Sequence, residues 1–149
     1  MNAVLARTGH VGINVTALAR SVDFYEAAFG LDVMGRSDAD GRRYAFLGAD
    51  GTLVLTLWEQ ATAGFSTESA GLHHLSFQAD DIAQVEATEQ RLKAMGASFT
   101  YDGIVSHAEG AASGGIFFTD PDGTRLEVFA PEGAQGHAPA GGAPSCGFF

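Results

Sequence analysis

The alternation of apolar and polar residues predicts the same order of elements twice along the chain. Residues 8–15 alternate, which is typical of a strand with one buried face. Apolar side chains then recur at helical spacing from Val22 to Phe29, and Gly30 stands where helices often end on a left-handed residue. Three strands are predicted to follow, at residues 31–35, 42–47 and 52–58. Residues 1–58 are therefore predicted to form a first βαβββ module.

The pattern then restarts and predicts a second module over residues 72–131. Asp81 precedes an amphipathic helix that ends near Gly96. Further strands are predicted at residues 97–101, 115–119 and 125–130, with a loop at 102–114. Residues 59–71 are small and polar without a period, so we interpret them as the linker between the modules.

An internal repeat relates the two modules. Placing His74 on His10 aligns the alternating residues of the two opening strands. The turns before the last strands also match, at Asp50-Gly51-Thr52 and Asp122-Gly123-Thr124. This match of the turns predicts that Leu55 and Glu127 occupy equivalent positions.

Residues 132–149 are rich in Gly, Ala and Pro and are predicted to be a flexible tail with no core of its own. Phe148 and Phe149 are candidates to dock onto the domain or onto a neighbouring molecule. Cys146 is the only cysteine, so the chain has no internal disulfide, which is compatible with a reducing cytoplasm. We do not expect a catalytic thiol in this tail.

The charge balance narrows the choice of partners. The net charge is −10, from 18 acidic and 8 basic residues, which argues against nucleic acid and against an anionic membrane surface. No apolar run approaches the roughly 20 residues that span a bilayer, and no signal peptide is recognisable. We therefore expect a cytoplasmic protein with a small-molecule substrate or ligand.

Metal-binding residue types recur at equivalent positions of the repeat. His10 and His74 stand at the opening strands, and Glu127 stands in a last strand. If the modules pair around a pseudo-twofold axis, these side chains point into one cavity. Two imidazoles and one carboxylate leave open positions on an ion such as Fe²⁺, Mn²⁺ or Zn²⁺. The alternative is a structural role, in which Arg125 neutralises the buried Glu127 carboxylate.

Other side chains are candidates for catalysis or for the walls of a site. His107, in the predicted loop, is a candidate catalytic acid or base near neutral pH, and the alternative is simple solvent exposure. His73 points to the strand face opposite to His74, so we expect it to support the site or to lie at the surface. Several aromatic residues are candidates to line a partly apolar cleft, and the alternative for most of them is the core: Phe46, Trp58, Phe65, Phe99, Tyr101, Phe117 and Phe129.

Four motifs carry a resemblance to a known family: His10-Val-Gly-Ile-Asn-Val, Ser21-Val-Asp-Phe-Tyr25 with Phe29-Gly-Leu31, His74-Leu-Ser-Phe77, and Asp120-Pro-Asp-Gly123 before Leu126-Glu127-Val128. With them the chain resembles the vicinal oxygen chelate superfamily, which includes glyoxalases, extradiol dioxygenases, fosfomycin-resistance transferases and bleomycin-resistance binding proteins. The resemblance implies an α+β fold in which two tandem βαβββ modules form a cupped mixed sheet around a central site. It also implies a homodimer.

The family's metal positions fall on His10, His74 and Glu127, so the resemblance implies a divalent metal ion, namely Fe²⁺, Mn²⁺, Zn²⁺ or Ni²⁺. Glyoxalases add a carboxylate at the place aligned with Leu55, so the ligand set is more similar to that of dioxygenases and fosfomycin transferases. The small number of basic residues argues against a transferase that binds an anionic phosphonate.

We therefore expect a divalent-metal-dependent vicinal oxygen chelate enzyme, dioxygenase-like or lyase-like. Its small substrate would chelate the metal through adjacent oxygens. Two alternatives stay open. One is a non-catalytic protein that sequesters an aromatic compound or antibiotic, and the other is a structural domain with a polar core.

Overall fold

The chain divides into two units, Met1–Gly64 and Phe65–Phe149, each built from one helix and one mixed sheet. The structure, a computed structural model, describes residue 5, residues 7–141 and residues 147–149. Cys146 lies outside the described residues. The boundary between the units falls within the small and polar stretch 59–71.

The first unit has the element order strand, helix and three strands. Its elements are β1 (Val11–Val15), α1 (Leu18–Phe29), β2 (Asp32–Ser37), β3 (Tyr44–Ala49) and β4 (Thr52–Glu59). The strand order in the sheet is β1-β4-β3-β2, with β1 parallel to β4 and the other neighbours antiparallel. Leu55 and Leu57 of β4 are fully buried, and Val22 and Tyr25 of α1 are at most 1% exposed.

Different contacts fix the two ends of α1. At its C-terminus Gly30 has a φ of 66°, and its N–H donates to Glu26 O at 2.8 Å. The predicted end of this helix at Gly30 is therefore confirmed. At its N-terminus the backbone N–H of Leu18 donates to Glu59 Oε2 at 2.6 Å. A carboxylate from the end of β4 thus satisfies a helix donor that has no partner within the helix.

The second unit repeats this order with one addition. Its elements are β5 (Leu75–Gln78), α2 (Ile82–Ala94), β6 (Ser98–Phe99), β7 (Val105–Ser106), β8 (Gly114–Thr119) and β9 (Arg125–Ala130). The sheet order is β5-β9-β8-β6, β5 is parallel to β9, and β7 pairs with β8. Asp120 holds the turn before β9, because its Oδ1 accepts from the N–H groups of Asp122 and Thr124, each at 2.9 Å.

The predicted loop 102–114 contains the short strand β7, which the sequence pattern did not indicate. Val105 and Ser106 pair with Gly115 and Gly114. A Cβ at Gly114 would collide with the Val105 carbonyl, so the missing side chain allows the two strands to approach. Two residues are too few to show an alternation in the sequence.

The predicted α+β fold class and the repeated βαβββ order are confirmed. The part of residues 132–149 that the structure describes packs onto the second unit, where Ala134 is fully buried and Pro139 forms a bridge to Ser106. Within the described ranges, neither helix has the length and hydropathy to cross a bilayer.

Asp81→Ala should lower the free energy of unfolding by about 1 kcal/mol, since Asp81 Oδ1 accepts the Gln84 N–H at 2.8 Å and caps α2. Urea denaturation followed by circular dichroism measures the change. Asp80→Ala is the matched control, because it removes the neighbouring exposed carboxylate and leaves the Asp81 cap in place. Equal losses in the two variants would show that helix capping is not the cause.

Candidate functional site

The candidate site lies on one face of the second sheet, which we call the Glu127 face. Ser76 and Phe117 are the strand partners of Glu127 on its two sides. His74 immediately precedes β5, and its ring lies near this face because it contacts Phe148, which packs on Phe117. Leu126 points to the opposite face, on which α2 packs, and is fully buried there.

Glu127 is 3% exposed and is hydrogen-bonded to an imidazole. The ring atom His107 Nε2 lies 2.6 Å from Glu127 Oε1. The other ring nitrogen, Nδ1, lies 2.9 Å from Ser113 Oγ, and the His107 N–H donates to Ser113 O at 2.9 Å. An ionised carboxylate only accepts, so His107 holds its proton on Nε2, and a neutral ring then accepts at Nδ1 from the Ser113 hydroxyl. Ser113 of loop 102–114 and Glu127 of β9 therefore orient the ring from its two sides.

His74 stands beside this pair on the same face and is partly buried. Burial lowers the pKa of the His74 imidazole below its ordinary value of 6.5, and the charges of His73 and Arg125 lower it further, while Glu127 acts in the opposite direction. The Nδ1 atoms of His74 and His73 lie 2.8 Å apart, so one ring donates to the other. The neutral imidazole is the form that binds metals.

Glu127 is paired with His107 and not with Arg125, the partner considered in the structural alternative. Arg125 instead donates from Nη2 to Phe149 O at 2.9 Å, and its guanidinium lies 5.4 Å from the centre of the Phe148 ring. The hydrogen-bond partner of the buried carboxylate is therefore a titratable imidazole from a loop.

In the first unit, His10 is exposed and immediately precedes β1. Strand pairing shows that the predicted equivalence of Leu55 and Glu127 is wrong by one residue. The residue that pairs with Gly12 is Thr56, as Glu127 pairs with Ser76, and Leu55 pairs with Val11. A β-bulge near the start of β4, where Val54 is the extra residue between Leu53 and Leu55, shifts the register that the aligned turns suggest. A hydroxyl group, and again no carboxylate, therefore occupies the equivalent place.

The predicted aromatic residues divide into three groups. The His107 ring centre lies 5.4 Å from that of Phe129 and 6.4 Å from that of Phe117, which also contacts Tyr101 at 5.6 Å. These rings line the Glu127 face. Phe99 is partly buried and packs on the fully buried Phe118. The others lie elsewhere: Phe46 and Trp58 cluster with Tyr44 in the first unit, and Phe65 lies near Arg125.

Two residues of this face were not identified as site residues by the sequence. Ser113 carries no motif, and only its position before two glycines sets it apart. Phe148 was predicted to dock, but nothing in the sequence indicated where, and its ring lies 5.4 Å from that of His74.

Over residues 5, 7–141 and 147–149, no three His, Cys, Asp or Glu side chains come together as a group that could hold a metal ion. The donor types nevertheless fit a divalent ion. The Glu127 face carries one almost fully buried carboxylate and one partly buried imidazole with a lowered pKa, that of His74. Glu127 would have to turn away from His107 to bind an ion with both of its oxygens.

Comparison with known proteins agrees with the architecture. A model of the Glyoxalase/Bleomycin resistance protein/Dioxygenase superfamily matches residues 7–128. The chain is 27% identical over 125 residues to a catechol-2,3-dioxygenase of Bacillus subtilis (strain 168), a match that covers 82% of the chain and only 40% of that protein. It is 28% identical over 139 residues to a probable lactoylglutathione lyase of Vibrio cholerae serotype O1, covering 87% of the chain and 92% of the lyase.

A solved structure gives the same result. A glyoxylase/bleomycin resistance protein/dioxygenase domain from Frankia sp. EAN1pec superposes with a TM-score of 0.71 at 26% identity, covering 85% of the chain and 98% of that domain.

His107→Ala should lower the free energy of unfolding by about 1–3 kcal/mol, because it leaves the buried Glu127 carboxylate without its hydrogen-bond partner. His137→Ala, at an exposed position, should change it by less than about 0.5 kcal/mol. In a Glu127→Leu background the His107→Ala loss should shrink, which a double-mutant cycle measures. An unchanged loss in that background would mean that the histidine stabilises the fold independently of the carboxylate.

In protein treated with a chelator, the His74 ring should titrate with a pKa below 6.5, as followed by NMR. The His74 ring then binds a proton less readily in the folded protein than in the unfolded chain, so protonation of this ring favours unfolding. The free energy of unfolding should therefore decrease as the pH falls below 6.5, the value of the unfolded chain. His74→Gln should reduce this pH dependence, and a His74 pKa above 6.5 would contradict the assignment.

Proposed function

Because the chain belongs to the Glyoxalase/Bleomycin resistance protein/Dioxygenase superfamily, we propose that it is a divalent-metal-dependent enzyme acting on a small substrate with two adjacent oxygens. In this proposal His10, His74 and Glu127 hold the ion, which is Fe²⁺, Mn²⁺, Zn²⁺ or Ni²⁺. The observation that carries the proposal is that the almost fully buried carboxylate of Glu127 lies on a sheet face near His74. A buried carboxylate is costly unless a cation or hydrogen-bond donors surround it.

His107 is the proposed catalytic acid or base. Its Nε2 atom shares a hydrogen bond with Glu127, and the Ser113 hydroxyl holds the ring at its other nitrogen. If Glu127 turned to hold an ion, Nε2 would be freed and could give its proton to a substrate oxygen or carbon, and could take one back afterwards. The ion would supply Lewis acidity toward the substrate oxygens.

The reaction class is dioxygenase-like or lyase-like. Thr56 occupies the position that corresponds to Glu127, so the first unit adds no carboxylate there. A ligand set of two imidazoles and one carboxylate leaves more of the coordination sphere to substrate and O₂ than a four-ligand set does. The proposal includes a homodimer, which the family likeness implies, and a cytoplasmic location, which the composition favours.

A second candidate function is sequestration of an aromatic compound without catalysis. The observation that favours it is the position of the Phe148 ring, which is 4% exposed and lies against His74 and Phe117. The Glu127 face therefore accommodates an aromatic ring. In this candidate function the carboxylate stays paired with His107 and takes no ion.

Metal content separates the two candidates. Protein purified without added metal and then titrated with each of the four ions should bind about one ion per chain, as measured by inductively coupled plasma mass spectrometry and calorimetry. Glu127→Gln and His74→Ala should each weaken binding by more than the roughly 10- to 100-fold loss that is typical for residues that only hydrogen-bond to a metal ligand. His137→Ala is the matched control, because it removes an exposed imidazole.

Equal metal affinity in all these variants would refute the ligand assignment. Protein that binds none of the four ions but binds aromatic compounds would refute the enzyme and support the binding protein.

A further inference from the structure

We propose that the segment Gly147–Phe149 is a tethered occupant of an aryl-binding subsite on the Glu127 face, and that aromatic ligands with an anionic or carbonyl oxygen bind by displacing it. The inference rests on the proposed function, which makes the Glu127 face a ligand-binding site. The segment contacts this face through the ring of Phe148 and through the backbone oxygens of Gly147 and Phe149.

The ring of Phe148 is held on three sides. Its centre lies 5.4 Å from that of His74, 5.2 Å from that of Phe117 in an edge-to-face arrangement at 82°, and 5.4 Å from the guanidinium carbon of Arg125. These are an imidazole, an aromatic ring and a cation, each of which interacts favourably with an aromatic face or edge. Phe148 is only 4% exposed, whereas the next ring, Phe149, is 94% exposed. The contacts therefore select one ring of the two.

Two polar side chains hold the backbone on either side of that ring. The hydroxyl of Tyr101 donates to Gly147 O, and Arg125 Nη2 donates to Phe149 O at 2.9 Å. The subsite thus combines an apolar slot with two donors aimed at oxygens, one of them a cation. A small aromatic molecule with a carboxylate or another oxyanion presents the same groups without the peptide, and its charged oxygen can accept from the Arg125 guanidinium in the same way.

Gly147 fits this position because it has no side chain. Its φ is 81°, in the left-handed region, and a Cβ there would collide with the ring of Phe117. Any substitution at Gly147 therefore removes the segment from the subsite without changing Phe148 itself. Gly136 offers the comparison, since a Cβ at that position meets nothing within 4 Å.

The segment lies against a proposed metal ligand. Phe148 covers one side of the His74 imidazole, so a ligand that reaches His74 from that side must take the place of the ring. Removing the ring should therefore raise the affinity for an external aryl anion, because the binding energy is no longer offset by displacement of the segment.

The test uses the full chain and the fluorescent aryl sulfonate 1-anilinonaphthalene-8-sulfonate, with benzoate as a competing ligand. Phe148→Ala and Gly147→Ala should each bind the probe about tenfold more tightly than the wild type does, the scale expected when a buried aromatic ring no longer competes. Phe149→Ala and Gly136→Ala, the matched controls, should bind like the wild type. Circular dichroism checks that each variant is folded.

A measurement on the wild type complements the variants and does not depend on how they fold. On saturation with the probe, the backbone amide resonances of Gly147 and Phe149 should move to the values of an unstructured peptide. Resonances that stay in place at saturation, or folded variants without tighter binding, would overturn the inference.

The metal content of the same samples keeps this result separate from the proposed function. If the wild type binds an ion and the variants bind the probe no more tightly, the tethered occupant is refuted and the enzyme stands. If no ion binds and the variants bind the probe more tightly, the subsite stands and the enzyme is refuted.

Discussion

The carboxylate of Glu127 imposes the constraint on which the rest of the second unit depends. It lies in a strand whose neighbouring residues Leu126 and Val128 are 0% and 4% exposed and point to the helix side of the sheet. A shift of the strand by one residue would turn Glu127 into the apolar core, so the sheet tolerates only one register. In that register the carboxylate needs a partner that is not on the sheet, and loop 102–114 supplies His107.

Much of the fold could be predicted because it follows from local patterns. The helix end at Gly30 and the turn before Arg125 depend on residues that are adjacent in sequence. The equivalence of Leu55 and Glu127 was wrong because it was taken from the turns, and a β-bulge in β4 adds one residue between the turn and the equivalent position. Pairing across strands, which no local pattern reports, places Thr56 there.

The site could be predicted less completely than the fold. Ser76 and Glu127 share one face, as strand pairing and the alternation of strand residues require, and His74 stands two residues before Ser76. The pairing of His107 with Glu127 could not be predicted, because the path of loop 102–114 depends on how β7 pairs with the glycines of β8. The joint role of His10 with these residues stays a prediction. The same scaffold also carries different chemistry in the first unit, where the indole N–H of Trp58 donates to Thr56 Oγ1 at 2.9 Å.

The unequal caps of the two helices have a consequence for the order of folding. Asp81 caps α2 from the adjacent residue, so this cap forms as soon as the first turn does. The donor at Leu18 is satisfied by Glu59, 41 residues away, so α1 gains that contact only after the chain has closed a long loop. Non-local contacts of this kind delay folding, so α2 should gain protection from amide hydrogen exchange earlier than α1.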